Sequence, residues 1–295
     1  MSLAQPAPLV LRGHRFDAAH PAVMGIINRT PDSFYAAARH VDLDDALGRA
    51  AAMIDEGVDI VDVGGVRAGQ QGEWVTESAE IDRVRPFLEA LREQFPGLIV
   101  SLDTWRAEVA SACAGMFDLV NDTWAGADPD LVLVAARERT GYVVSHTGGS
   151  PPRTDPHGVD YGPGDGVLDD VLRVLSAGAE RAVASGVARE AVLLDPTLDF
   201  GKTTLNSLRL VGTTDRVVAL GYPVLMAISR KDFVGETLDL GIDDRLEGTL
   251  AATAIAAWQG ATVFRAHDVR ATRRVLDMVA SIRGDRPPAR CERGR

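Results

Sequence analysis

The 295-residue chain is short of cysteine, of positive charge and of long apolar runs, and each shortage excludes something. Two cysteines, Cys113 and Cys291, cannot form the disulfide framework of a small secreted scaffold, and neither has a histidine at metal-site spacing. The stretch Met1 to Leu11 lacks a basic segment followed by an apolar one, so no secretory leader is expected. No run approaches the roughly 18 apolar residues that a membrane span needs. A reduced, cytoplasmic setting without a membrane partner is the expectation. The 31 Lys and Arg are outnumbered by 42 Asp and Glu, and a formal charge of −11 argues against nucleic acid or an anionic membrane as the main partner. A local basic cluster can still hold an anionic small molecule.

What is present is an alternation. Hydrophobic residues at 46% and charged residues at 25% support a sizeable core. Short β-branched runs recur at Val23–Ile27, Ile60–Val63, Leu98–Leu102, Leu119–Asn121, Tyr142–Ser145, Val192–Leu194, Val224–Ile228 and Thr262–Phe264. Helical periods follow each of them. Leu43, Leu47, Ala50 and Ile54 share one face, as do Thr272, Val275, Val279 and Ile282. Between them come Glu77–Phe95, Trp105–Gly115, Asp130–Thr140, Val167–Ser185, Thr204–Leu220 and Asp244–Gln259.

Strand–helix alternation implies parallel pairing with right-handed crossovers. Eight units predict an α/β fold of the (β/α)8 TIM-barrel type in a single domain; a doubly wound open sheet fits the pattern alone. Residues 1–283 form this unit, opened by a hairpin turning at Gly13-His14, and 284–295 are a polar tail expected to be disordered. The Gly- and Pro-rich stretch Thr147–Gly166 is expected to be a long loop on the active face.

Barrels carry chemistry at the carboxyl ends of their strands. Here the ends read Asn28, Asp62, Asp103, Asn121-Asp122, His146, Asp195, Ser229-Arg230-Lys231, and Arg265 with His267. One or two such residues could be turn formers or helix caps, with Asp268 a candidate cap; all eight together point to a site. Asp103, Asn121, Asp195 and Lys231 are expected to converge on the floor of the mouth, where carboxylates and an amide suit a flat heterocycle rich in N–H donors. Asn28, Arg265 and His267 are expected across the mouth, as donors and a metal ligand suited to phosphate oxygens.

Several blocks carry a resemblance. Met24-Gly25-Ile26-Ile27-Asn28-Arg29-Thr30-Pro31-Asp32-Ser33-Phe34 resembles the first signature of dihydropteroate synthases, and Asp62-Val63-Gly64-Gly65 the start of the second. Asp195-Pro196-Thr197-Leu198-Asp199-Phe200-Gly201-Lys202, Ser229-Arg230-Lys231 and Arg265-Ala266-His267-Asp268-Val269 are similar to the blocks after the last three strands. The resemblance implies a pterin-binding barrel, homodimeric through its outer helices, of a family that binds sulfonamides. Its reaction joins a dihydropterin pyrophosphate to p-aminobenzoate in folate biosynthesis.

By that resemblance Asp103, Asn121, Asp195, Phe200 and Lys231 hold the pterin. Asn28, Arg265 and His267 hold pyrophosphate, with Mg2+ on Asn28. Arg67 and Ser229 meet p-aminobenzoate, and Lys231, Asp62 and Arg67 are the catalytic candidates. Two loops depart from the pattern. After Phe34 the family's Ser-Asp-Gly-Gly type run is replaced by Tyr35-Ala36-Ala37-Ala38-Arg39, and after Gly65 its Glu-Ser-Thr segment gives way to Val66-Arg67-Ala68-Gly69-Gln70. Ser145-His146-Thr147 stands where methionines commonly flank the histidine. The departures predict pterin binding with weak or no synthase activity. A fully active synthase and a pterin-dependent methyltransferase are the alternatives, the second opposed by the Phe200-Gly201-Lys202 and Ser229-Arg230-Lys231 blocks.

Overall fold

The computed structural model describes residues 6–29, 36–66, 74–153 and 159–293, with the backbone alone over 36–42. An N-terminal hairpin pairs β1 (Leu9–Leu11) with β2 (His14–Phe16). Its two-residue turn is Arg12-Gly13, one residue before the expected Gly13-His14, because His14 already pairs with Leu11; the two φ values of 49° and 79° are the positive-φ pair that matches the twist of a hairpin.

Eight parallel strands follow: β3 (Ala22–Asn28), β4 (Ile60–Gly64), β5 (Ile99–Asp103), β6 (Leu119–Asn121), β7 (Gly141–Ser145), β8 (Val192–Asp195), β9 (Leu225–Ala227) and β10 (Val263–Ala266). They run in the order β8-β7-β6-β5-β4-β3-β10-β9. A parallel bridge from Leu194 to Val224 joins the two ends, so the sheet closes on itself as a barrel. The helices are α1 (Ala36–Asp55), α2 (Glu77–Gln94), α3 (Ala107–Ala112), α4 (Leu131–Glu138), α5 (Gly166–Ala184), α6 (Thr204–Gly212), α7 (Thr214–Val218), α8 (Asp232–Leu238), α9 (Leu246–Trp258) and α10 (Val269–Arg283). No helix among the described residues is long and apolar enough to cross a membrane.

The barrel matches the expected one strand for strand, with ends shifted by a residue or two. Two differences are physical. The single helix expected over Thr204–Leu220 is split at Thr213, whose hydroxyl returns to the Arg209 carbonyl, and α8 appears directly after Lys231. Hydrophobic period could not announce α8, because its seven residues are too few to show one. Its start is stabilised by Asp199, whose Oδ2 accepts from the Asp232 and Phe233 amides at 2.8 and 3.4 Å.

Strand alternation sorts the core into two compartments. Outward residues such as Val61, Val100, Val120, Leu194 and Phe264 pack against the helices. Inward residues Ile60, Ile99, Leu119, Val143, Leu193 and Val263 join Leu9, Leu11 and Phe16 of the hairpin in a separate apolar cluster. The hairpin therefore stoppers the amino end of the barrel. Burying its three large side chains contributes roughly 5–9 kcal/mol before the cost of ordering them.

One pleat higher on the same six strands, the inward positions become Asp62, Ser101, Asn121, Ser145, Asp195 and Arg265. The interior thus changes from hydrocarbon to charge within one repeat of about 7 Å. That polar layer is where the mouth begins.

Candidate functional site

Arg265 organises the layer. Its Nε lies 2.6 Å from Asp62 and its Nη2 lies 2.7 Å from Asp103. Burial by itself would disfavour the guanidinium charge, and the two carboxylates more than reverse this, so Arg265 is held charged above its ordinary value. The expected grouping is corrected here: Arg265 does not stand across the mouth from the floor carboxylates but lies between them.

Asp62 is completely buried and also receives the Asn121 amide, Nδ2 to Oδ2 at 3.2 Å. The Asn121 Oδ1 is buried with no hydrogen-bond partner, as is the Ser101 hydroxyl beneath it. A buried acceptor without a donor costs about 1–3 kcal/mol, which a ligand N–H can recover. Asp103 accepts a second hydrogen bond from Thr123 at 2.9 Å. Its carboxyl is nevertheless pushed up to about 7, chiefly by burial and further by Asp62, against the pull of Arg265.

Asp195 ends β8, buried, and accepts from the Thr197 amide at 2.7 Å. Burial raises its pKa, and Lys231 and Lys202 oppose the rise. Lys231 sits 4.7 Å from the centre of the Phe200 ring and donates to the Leu198 carbonyl. Desolvation lowers its pKa, while Asp199 and Asp195 favour the charged form. Phe200 is backed by Trp124, edge to face at 5.3 Å, and Trp124 in turn by Trp105 at 6.5 Å. The site thus has an ionic base with an aromatic wall along β5, β6 and β8.

The backbone around this wall is strained. Thr197, Asp199 and Arg230 have φ of 52°, 69° and 55°, a region that non-glycine residues seldom occupy and that concentrates at functional sites. Local bonds hold it: Thr197 Oγ1 donates to the Asp195 carbonyl and accepts from the His146 amide.

At the rim, Ser229 Oγ accepts from the His267 amide at 3.1 Å and lies 3.0 Å from the imidazole Nδ1. Desolvation and the neighbouring Arg265 lower the His267 pKa. Asn28 is exposed at the end of β3, opposite Gly64 in the register. Arg230 turns away from Lys231 and forms a two-point ion pair with Asp268 at 3.0 and 3.2 Å. Asp268 therefore precedes α10 without capping it through its side chain. Arg67 lies outside the described residues.

The structure brings Asp62, Asp103, Asn121, Asp195, Phe200, Lys231 and Arg265 to one end of the barrel, with Ser229, His267 and Asn28 on its rim. Sequence reasoning gave no role to Lys202, which is 1% exposed and donates to the carbonyls of His146, Thr197 and Phe200 at 2.7–3.0 Å. A signal was available: the chain has only two lysines, Lys202 and Lys231, and both close on this segment.

The family model described as "Pterin binding enzyme" matches residues 24–267. The Mycobacterium leprae protein named "Inactive dihydropteroate synthase 2" is 54% identical over 289 residues, 97% of this chain and 98% of its own length. The Bacillus subtilis dihydropteroate synthase is 36% identical over 262 residues, covering 88% of each chain. Among solved structures, a Coxiella burnetii dihydropteroate synthase in complex with pteroic acid aligns with a TM-score of 0.81 at 31% identity, over 95% of this chain and 99% of that one.

Proposed function

Since the chain belongs to the dihydropteroate synthase family of pterin-binding enzymes, we propose that it binds a pterin in the polar layer and has little or no synthase activity. The observation that carries the reading is the layer itself. Asp103, Asp195 and the unpartnered Asn121 Oδ1 offer acceptors to an amino-pyrimidine edge, Lys231 offers a donor, and Phe200 a face for the ring. Ser229, His267 and Arg265 suit the oxygens of a pyrophosphate, and Ser229 with Arg67 those of p-aminobenzoate. No three metal-ligating side chains cluster among the described residues. Magnesium, which takes few protein oxygens and keeps its water, fits Asn28 together with the substrate's own phosphates.

Weak turnover is supported by two facts. The better-matched relative is named inactive, whereas the more distant one is named a synthase. The alanine run replacing the first loop's Gly-Gly turn is also helical from Ala36 onward, inside α1. A helix cannot serve as a glycine hinge.

A homodimer through the outer helices suits the apolar groups left exposed there, including Leu205 on α6, Trp258 on α9, and Met278 and Ile282 on α10. A cytoplasmic location suits the buried free thiol of Cys113.

The test pairs two measurements on one preparation: binding of the pterin pyrophosphate, and pyrophosphate release once p-aminobenzoate and magnesium are added. Binding that disappears in Asp195→Ala and Lys231→Ala, without release above the protein-free control, is the expected result. Absence of binding refutes the pterin site, and steady release refutes the loss of activity.

A further inference from the structure

A groove of about 380 Å³ runs down the outside of the barrel between α4 and α5, a volume in the range of small-molecule sites. Its floor is the outer face of β7, where Tyr142 and Val144 lie, and α5 turns Gly178 and Ala182 toward it. No side chain at 178 can fill the gap, because a Cβ there would fall 2.4 Å from Val144 Cγ1. The remaining apolar walls are aliphatic: Pro129 before α4, Val132 and Leu133 on α4, and Val174 on α5. Leu133 is 51% exposed, so the groove opens to solvent on the α4 side.

Three charged groups line it, Asp122, Asp128 and Arg181. Both carboxylates are committed. Asp122 Oδ1 accepts from the Trp124 amide at 3.0 Å, and its Oδ2 from the Gly126 amide and the Tyr142 hydroxyl at 2.8 and 2.6 Å. Asp128 Oδ1 accepts from the Asp130 amide at 3.1 Å and its Oδ2 from the Ala107 amide at 2.7 Å. Arg181 differs: its guanidinium has no hydrogen bond and no ion pair among the described residues.

Two observations turn that guanidinium into the groove rather than out to water. Its Nη2 lies 3.6 Å from the point where a Gly178 Cβ would stand. Burial, and then Asp122, push the Tyr142 hydroxyl above its ordinary range, and the Arg181 charge is near enough to the groove floor to pull the other way.

These walls describe one kind of guest. Aliphatic side chains on both helices favour an alkyl chain over a stacked ring, and a guanidinium without a partner suits a carboxylate, which it can hold by two parallel bonds. A cationic head would meet Arg181 and find every carboxylate oxygen already supplied with a donor. From Val174 to Arg181 the helix rises about 10 Å, the reach of an extended octanoate.

We propose that this groove is a second ligand site, on the outer wall of the barrel and independent of what fills the mouth, for a medium-chain alkyl carboxylate. The chain lies between α4 and α5, and the head group pairs with Arg181.

Octanoate titrated into the full chain by calorimetry is the test, with octylammonium as the same chain of opposite charge. Saturable octanoate binding with Kd of about 1 mM or tighter is expected, with none for octylammonium. Hexanoate, two methylenes shorter, should bind about tenfold more weakly. Arg181 and Leu133 are both exposed, and Arg181→Gln and Leu133→Asp should each weaken octanoate by about fivefold or more. Lys231→Ala, which removes a cation of the mouth, should leave it unchanged. No saturable heat, equal binding of octylammonium, full binding in Arg181→Gln, or loss in Lys231→Ala with retention in Arg181→Gln each overturn the site.

Discussion

Asp103→Asn probes the most unusual electrostatic feature of the polar layer. Asp62 and Asp103 flank a single guanidinium, so the trio holds excess negative charge where little water reaches. Burial and Asp62 push the Asp103 carboxyl from its ordinary 3.8 to about 7. The unfolded chain protonates this carboxyl near its ordinary value, so between those values the folded chain holds more protons. The contribution of this group is then fully present below the unfolded pKa and is lost as pH rises through the folded one. Displacement from 3.8 to about 7 corresponds to about 4 kcal/mol. The Asp103 side chain keeps 17% of its exposure, and solvent reduces that figure toward about 2 kcal/mol. Urea unfolding measured from about pH 5 to about pH 8 covers roughly three-fifths of that displacement and should show wild type losing about 1 kcal/mol more than Asp103→Asn. Removing one carboxylate leaves a single carboxylate beside the Arg265 guanidinium and abolishes the excess negative charge. Parallel pH profiles for the two proteins would refute the argument.

Lys202→Met leaves three buried carbonyls without their shared donor; a loss of about 3–5 kcal/mol and a melting temperature lower by about 10 °C are expected by calorimetry. Gly178→Ala places a Cβ 2.4 Å from Val144 Cγ1. It should cost about 1–3 kcal/mol in chemical denaturation, and Val144→Ala should restore much of the loss. Met278→Glu introduces charge into the exposed apolar surface of α10, and light scattering should report a shift from dimer to monomer.

The strands were legible because their signal is local. Each is a short β-branched run ending in a polar residue, and Val23–Ile27 or Leu119–Asn121 needs no distant partner to be recognised. The ring of chemistry was legible for the same reason, since strand ends and mouth coincide in a barrel. What escaped depends on distance through space. Nothing near Arg265 in sequence says that it will lie between Asp62 and Asp103, more than 160 residues away in the chain. Lys202 escaped because its partners are carbonyls, which every residue has. The helix after Lys231 escaped because Asp199, on another loop, caps it.

The hairpin stopper has a kinetic meaning. With Leu9, Leu11 and Phe16 filling the amino end, the barrel is a vessel with one opening, and traffic through it is last in, first out. A guest at the polar layer must enter before anything that binds above it, and cannot leave while the upper position is filled. That single route is set at the closed end of the barrel, where the three hairpin side chains pack onto Ile60, Ile99, Leu119, Val143, Leu193 and Val263 and touch no guest.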